Sequence, residues 1–242
     1  VYPPGSTFKM LTVLEYMKEN PNTWQDYVYN CNGSYQNGDY TIKCYHGTAH
    51  GAQNLIQAFA NSCNGAFAEI GMQINSEKFR ALANQMLFNS ELPYTLPYNQ
   101  STFSLDGSSD DWEKLQTAIG QGKTQITPLH NLMIVSAIAN GGTYTKPVFF
   151  TKILDRNGKI LIDNEPETKQ VLKDSTAFLL TDAMSESMKA NRKFARSGVS
   201  INSTSTRAAL TGMSAAGKSG TTTSNNDVWF VGFTPYYTAG VW

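Results

Sequence analysis

The opening decapeptide, Val-Tyr-Pro-Pro-Gly-Ser-Thr-Phe-Lys-Met, restricts what can follow more than any other stretch of this 242-residue chain. Pro3-Pro4-Gly5 cannot be helix. The residues from Ser6 to Asn20 are rich in helix formers and place Phe8, Leu11, Leu14 and Tyr16 at roughly helical spacing. The pattern predicts a helix beginning at Ser6. At about 3.6 residues per turn, Ser6 and Lys9 share a face and their side chains can meet. A serine there lies in the positive field of the helix dipole, which favours negative charge developing beside it. Two readings stand: Ser6 as a nucleophile with Lys9 as its base, or an N-cap serine and a surface lysine. About one Ser-x-x-Lys is expected by chance at this length.

The chain is long enough for one large domain or two small ones with a sizeable core. Its 19 basic and 19 acidic residues cancel and no Lys/Arg run occurs, so nucleic acid and anionic membrane surfaces are poor partners. No apolar run approaches the roughly 20 residues of a membrane span, and the N-terminus has no signal-peptide pattern.

Cys31, Cys44 and Cys63 are the chain's cysteines. Between the first two, Asn37-Gly38 is a preferred two-residue hairpin turn. Pairing about it sets Tyr35 against Tyr40 and Cys31 against Cys44, within reach of a disulfide; a disulfide and two reduced thiols remain equal alternatives. The histidines His46, His50 and His130 have no ligand-like spacing with these thiols, which argues against a metal, and no cofactor is expected.

Residues 54 to 73 read as helix interrupted by the turn-prone Asn61-Ser62-Cys63-Asn64-Gly65, either a satisfied break or the wall of a site. Ser76 to Phe88 is an amphipathic helix, and Asn89 to Asp111 a long loop able to edge a cleft. A helix from Leu129 to Asn140 stops at Gly141-Gly142. A hairpin follows about Asp155-Arg-Asn-Gly158, then a helix near Lys173 to Met188. Lys189 to Met213 reads as a mobile Ser/Thr-rich connection. Ala215 to Thr223, Val228 to Thr234 and Tyr237 to Trp242 read as an antiparallel meander. Glycine weakens a strand and marks close approach, so Gly217-Lys218-Ser219-Gly220-Thr221 suits a carboxylate-binding strand. The alternative is an edge strand with a protective lysine.

Together, Ser6-x-x-Lys9, Ser62-x-Asn64 and Lys218-Ser-Gly-Thr221 resemble, in order and local setting, the penicillin-recognising serine acyltransferases. Ser-x-Asn recurs at Ser200 to Asn202 and Ser224 to Asn226, so placement selects Ser62. The chain most resembles the transpeptidase domain of high-molecular-weight penicillin-binding proteins over essentially all of residues 1 to 242. Gly120-Gln-Gly122, Ile126-Thr-Pro-Leu129 and Trp229-Phe-Val-Gly-Phe-Thr-Pro235 add to that match. Monofunctional class B members are the nearest, through the Cys31 to Cys44 and His50-Gly51 region.

The resemblance implies a mixed α/β (α+β) fold: an antiparallel sheet flanked by helices, with an all-helical subdomain. It implies a D,D-transpeptidase in which Ser6 attacks the penultimate D-alanine of a peptidoglycan stem peptide and Lys9 takes its proton. Ser62 relays a proton to the leaving amine and Asn64 orients Lys9 and the substrate amide. Lys218, Ser219 and Thr221 hold the substrate carboxylate with Thr223 nearby, the backbone of Ser6 and Thr221 forms the oxyanion hole, and Gly220 permits close approach. β-Lactams would acylate the same serine. The family's first sheet strands and C-terminal helix are missing from these 242 residues. A fragment of a membrane-anchored, extracytoplasmic protein, working with other cell-wall synthesis proteins, is therefore expected. A D,D-carboxypeptidase, a β-lactamase or β-lactam sensor, and a silent cell-wall scaffold are the alternatives.

Overall fold

A computed structural model describes residues 1–193 and 200–242. Its helices are α1 (Lys9–Glu19), α2 (Leu55–Ala60), α3 (Asn64–Gln73), α4 (Ser76–Gln85), α5 (Asp111–Ala118), α6 (Pro128–Ala139) and α7 (Asp174–Glu186). Its strands are β1 (Val28–Cys31), β2 (Ser34–Asn37), β3 (Tyr40–Lys43), β4 (Gly51–Asn54), β5 (Thr143–Thr145), β6 (Lys152–Leu154), β7 (Ile160–Asp163), β8 (Thr168–Gln170), β9 (Arg192–Lys193), β10 (Ser200–Ile201), β11 (Ala216–Thr221), β12 (Val228–Phe233) and β13 (Thr238–Val241).

Every residue from Lys9 to Met17 is buried, so α1 must be covered on all sides. Helices α2, α3, α4 and α7 pack against it, and α5 backs α3. The expected meander forms as an antiparallel sheet in the order β11-β12-β13, with Lys218 opposite Val231 and Gly220 opposite Trp229. Helix α6 covers β12 and β13, and α7 covers β11. The result is the expected mixed architecture: an antiparallel sheet, helices on it and a helical cluster beside it. No described helix is long and apolar enough to cross a membrane.

The α-helix starts at Lys9 rather than Ser6, because Gly5 to Phe8 forms a tighter 3₁₀ turn leading into it. That turn is clamped by its neighbours. Gly5 N–H donates to the Gly120 carbonyl (2.9 Å), Trp229 Nε1 donates to the Pro3 carbonyl (3.0 Å), and Tyr2 and Ile126 exchange backbone bonds. Gly120 has φ +75°, and a Cβ there would lie 2.0 Å from the Gly5 oxygen. Gly120→Ala should therefore cost about 2–4 kcal/mol in urea unfolding and slow any chemistry at Ser6, since backbone must move to admit it.

Behind the turn, Phe8, Phe79, Phe88 and Phe103 form an aromatic knot with ring centroids 5.2–6.3 Å apart. Phe103 arrives from the Asn89 to Asp111 loop. That loop borders a separate hollow with Tyr94 and Tyr98, away from Ser6, and pins itself by the Asn89 side chain bonding both N–H and C=O of Phe103. Phe103→Ala should lower stability by about 3–5 kcal/mol, read from the unfolding midpoint.

The hairpin register differs from expectation. Tyr35 pairs with Ile42 and Asn37 with Tyr40, so Gly38-Asp39 is the turn. Ile42 is buried and Tyr35 half-buried, so this register puts both on the core face. Asn37 meanwhile ends its strand with Nδ2 bonded to Asp111 (2.9 Å). Cys31 belongs to a different ladder, β1 with β4, opposite Gly51. The hairpin about Asp155 to Gly158 forms as β6 and β7. Of the Lys189 to Met213 connection, residues 194–199 lie outside the described residues. Its described part is tied down, with Ser205 Oγ accepting from the Ser219 N–H (3.0 Å).

Candidate active site

Lys9 opens α1 and points into the turn between α2 and α3. Its Nζ donates to the Ser62 carbonyl (2.7 Å), to Asn64 Oδ1 (2.7 Å) and to Ser62 Oγ (3.4 Å). The interruption at 61 to 65 is thus held against Lys9, and its Asn64 lines a groove. Ser62 adopts φ +52°, a left-handed conformation that bends the chain so that Ser62 and Asn64 both face Lys9.

Lys218 reaches the same serine from β11, its Nζ 2.9 Å from Ser62 Oγ and 2.9 Å from the Ser219 carbonyl. Both lysines are fully buried, each over an aromatic ring, Phe67 for Lys9 and Phe59 for Lys218. Lys218 is therefore no protective edge lysine: β12 flanks its strand on one side and the Gly5–Phe8 turn on the other. Its ammonium is engaged with Ser62, beneath the surface where the sequence set it to hold a substrate carboxylate.

Burial pushes the Lys9 amine down to about 8, against a smaller upward pull from the sulfur charges of Cys63 and Cys44. Burial, aided by the Lys9 charge, lowers Lys218 well below the ordinary lysine value. Two ammonium groups sharing one hydroxyl repel each other, which favours loss of a proton from one of the pair.

Ser6 is half-buried at the floor of a groove of about 520 Å³. Asn64, Thr221 and Thr223 also line it; Lys9 and Lys218 are buried, and Lys9 reaches the lining through Asn64. Among the described residues the Ser6 hydroxyl makes no hydrogen bond, leaving it free to meet a ligand. A Cβ on Gly220 would lie 2.9 Å from the Pro4 carbonyl oxygen and 3.1 Å from Thr7 N, so glycine there is what lets β11 close on the nucleophile turn. Ser219 turns away from the groove, its Oγ 3.4 Å from the Thr204 carbonyl.

A model of the penicillin binding protein transpeptidase domain matches residues 1–242. The chain belongs to that family.

Stage V sporulation protein D of Bacillus subtilis (strain 168) is 28% identical over 246 residues, covering 97% of this chain and 36% of that protein. The D,D-transpeptidase domain of a peptidoglycan glycosyltransferase from Eggerthella lenta superposes with a TM-score of 0.84 at 27% identity, over 97% of this chain and 57% of that one. Penicillin-binding protein A of M. tuberculosis, solved as its imipenem acyl-enzyme, shares the fold with a TM-score of 0.82 at 24% identity, over 97% and 51%. This transpeptidase-domain chain thus spans between about a third and just over half of the relatives it matches.

The groove also contains residues to which the sequence assigned no role. Gln121 bridges the walls, its Nε2 donating to the Thr221 carbonyl (3.5 Å) and its Oε1 accepting from Thr223 Oγ1 (3.4 Å). Gly120 and Gly122 both have positive φ and hold it there, so the Gly-Gln-Gly spacing was the available signal. Trp112, stacked on Tyr40 at 5.3 Å, rims the opposite side; no local pattern announced it.

The cysteines also gather here. Cys31 and Cys44 sulfurs lie 3.6 Å apart and Cys44 and Cys63 3.7 Å, all three thiols free and buried. The hydrogen bond to Cys63 lowers the Cys44 thiol, and the same bond, with burial, raises Cys63. His50 Nδ1 lies 3.3 Å from Cys31 Sγ. Spacing along the chain speaks against a metal, but the fold brings these four side chains together in space.

Proposed function

We propose that this domain is a serine D,D-transpeptidase of the outer face of the bacterial cytoplasmic membrane, cross-linking peptidoglycan stem peptides through an acyl-enzyme on Ser6. One observation carries the reading: two buried lysines from different elements converge on Ser62, and one of them, Lys9, also bonds Asn64, which lines the same groove as Ser6. The likeness to the D,D-transpeptidase domain from Eggerthella lenta and to the M. tuberculosis protein that forms an acyl-enzyme supports it.

In this mechanism neutral Lys9 removes the Ser6 proton as Oγ attacks the penultimate D-alanine carbonyl. The Ser6 and Thr221 backbone N–H groups face the developing oxyanion. Collapse expels D-alanine, whose amine takes a proton through Ser62. Ser62 is suited to a relay because its hydroxyl touches both Lys9 and Lys218. An amine from a neighbouring stem peptide then attacks the acyl carbon, forming the cross-link and freeing Ser6. A β-lactam opens on the same serine, but its leaving nitrogen stays tethered in the groove and the reaction stops there. Thr221 and Thr223 line the groove where a substrate carboxylate would lie, and Asn64 positions Lys9.

Ser62→Ala should slow acylation by about 10²–10³-fold, a relay loss smaller than loss of nucleophile or base, read from labelled-penicillin kinetics. The whole protein, given a stem-peptide donor and an amine acceptor, should yield the cross-linked product. Hydrolysis alone with acceptor present would make it a carboxypeptidase; rapid turnover of the penicilloyl-enzyme would make it a β-lactamase.

A further inference from the structure

Four potential ligand atoms, the sulfurs of Cys31, Cys44 and Cys63 and a ring nitrogen of His50, all lie within 4.8 Å of one another. They come from separate parts of the fold: Cys31 ends β1, Cys44 follows β3, His50 precedes β4, and Cys63 is the N-cap of α3. Three edges of this cluster measure 3.6 Å (Cys31 to Cys44), 3.7 Å (Cys44 to Cys63) and 3.3 Å (Cys31 Sγ to His50 Nδ1). Tetrahedral zinc, with Zn–S of about 2.3 Å and Zn–N of about 2.0–2.1 Å, has S···S edges of about 3.8 Å and S···N edges of about 3.6 Å. These three edges already have nearly those dimensions, and the others lie within 4.8 Å.

The surroundings suit thiolates. Gly33 N–H donates to Cys31 Sγ (3.4 Å) and Ala66 N–H to Cys63 Sγ (3.5 Å), the kind of outer-shell support that metal-bound sulfurs receive. Cys63 also sits at the positive end of α3. All three thiols are buried and His50 is half-buried, so a bound ion would be closed off from solvent as in structural sites. A disulfide would use two sulfurs and would leave unexplained both the third and the imidazole turned towards Cys31.

We infer that Cys31, Cys44, His50 and Cys63 bind one zinc ion in a closed tetrahedral site. Three thiolates and one imidazole select a borderline-soft, tetrahedral dication over calcium or magnesium. The site ties the β1/β4 and β2/β3 ladders to Cys63, the residue between Ser62 and Asn64. Zinc would therefore hold the left-handed Ser62 turn against Lys9, making the four ligands positioning residues for the acylating site. Metal binding stands independently of the transpeptidase reading; only the effect on acylation rests on it.

The test uses the full-length protein, purified under reducing, chelator-free conditions with zinc in the medium. Expected are one zinc per chain by elemental analysis and, after exchange with Co²⁺, thiolate-to-cobalt charge-transfer absorption with tetrahedral d–d bands. His50→Ala, a half-buried change that leaves the thiol cluster in place, should weaken zinc by about 10–100-fold or more. Cys31→Ser should reduce the charge-transfer intensity by about a third. Stripping the wild type with a chelator should slow penicillin acylation, and added zinc should restore it. The inference is overturned by a metal-free protein with three titratable thiols, by a disulfide with one remaining thiol, or by zinc retained undiminished in both variants. Zinc content is read separately from acylation, so a zinc-loaded protein that penicillin does not acylate would sink the functional reading and leave the metal site standing.

Discussion

Alanine at Ser6 lowers the second-order rate of acylation by labelled penicillin by on the order of 10⁴-fold or more, while unfolding shifts by no more than about 0.5 kcal/mol. The kinetic loss is large because the acyl-enzyme forms on the Ser6 oxygen, which lines the groove on a turn packed against β11. Ser62 is not among the groove's lining residues and is already bonded to Lys218. The stability change is small because the Ser6 hydroxyl makes no hydrogen bond among the described residues and its turn is held by backbone bonds of Gly5 and by Trp229. A large loss of stability would mean that the turn depends on the side chain, contrary to this geometry.

Replacing Lys9 by methionine, which keeps much of the buried volume, lowers acylation by about 10³–10⁴-fold and flattens its pH dependence. In the wild type, acylation rises with pH and levels off above about 8, where burial leaves the Lys9 amine neutral. The same shift fixes the sign for stability. An unfolded lysine holds its proton up to its ordinary value of 10.5 and the folded one only to about 8, so burying the charge opposes folding below pH 8. By linkage this amounts to about 3 kcal/mol, and it is progressively relieved as pH rises from 8 to 10.5. Unfolding of the wild type should gain a positive pH slope across that window, and Lys9→Met should lose that component. A flat wild-type acylation profile would point to another base.

Much of this was legible in the residues, for physical reasons that can be named. The period of Leu11, Leu14 and Tyr16 and the Gly141-Gly142 stop are local signals, and the helices followed them. The meander followed its alternating strands and tight connections. The Ser6, Ser62 and Lys218 stretches were found because each sits at a local break: a turn before a helix, a bend between helices and a glycine-weakened strand. The Asn37-Gly38 turn misled because a short-range preference of the kind described for hairpins is weaker than burying Tyr35 and Ile42 on one face. The β1/β4 ladder joins strands separated by another hairpin, which no local pattern reports. That ladder, with the α2–α3 turn, also assembles the thiol and imidazole cluster, so spacing along the chain gave the opposite indication. Lys218 was read as facing substrate; its full burial depends on β11 bringing it against Phe59 and Ser62, a tertiary fact.

The most direct measurement of the central claim is proteolytic mapping of the adduct formed when the full-length protein reacts with benzylpenicillin. The site holds two candidate serines, and Ser62 has the better hydrogen bonds in the resting structure. The account predicts one penicilloyl group per chain, on the peptide bearing Ser6, with the Ser62 peptide unmodified. An adduct on Ser62, or one that persists at the wild-type rate in Ser6→Ala, would contradict it.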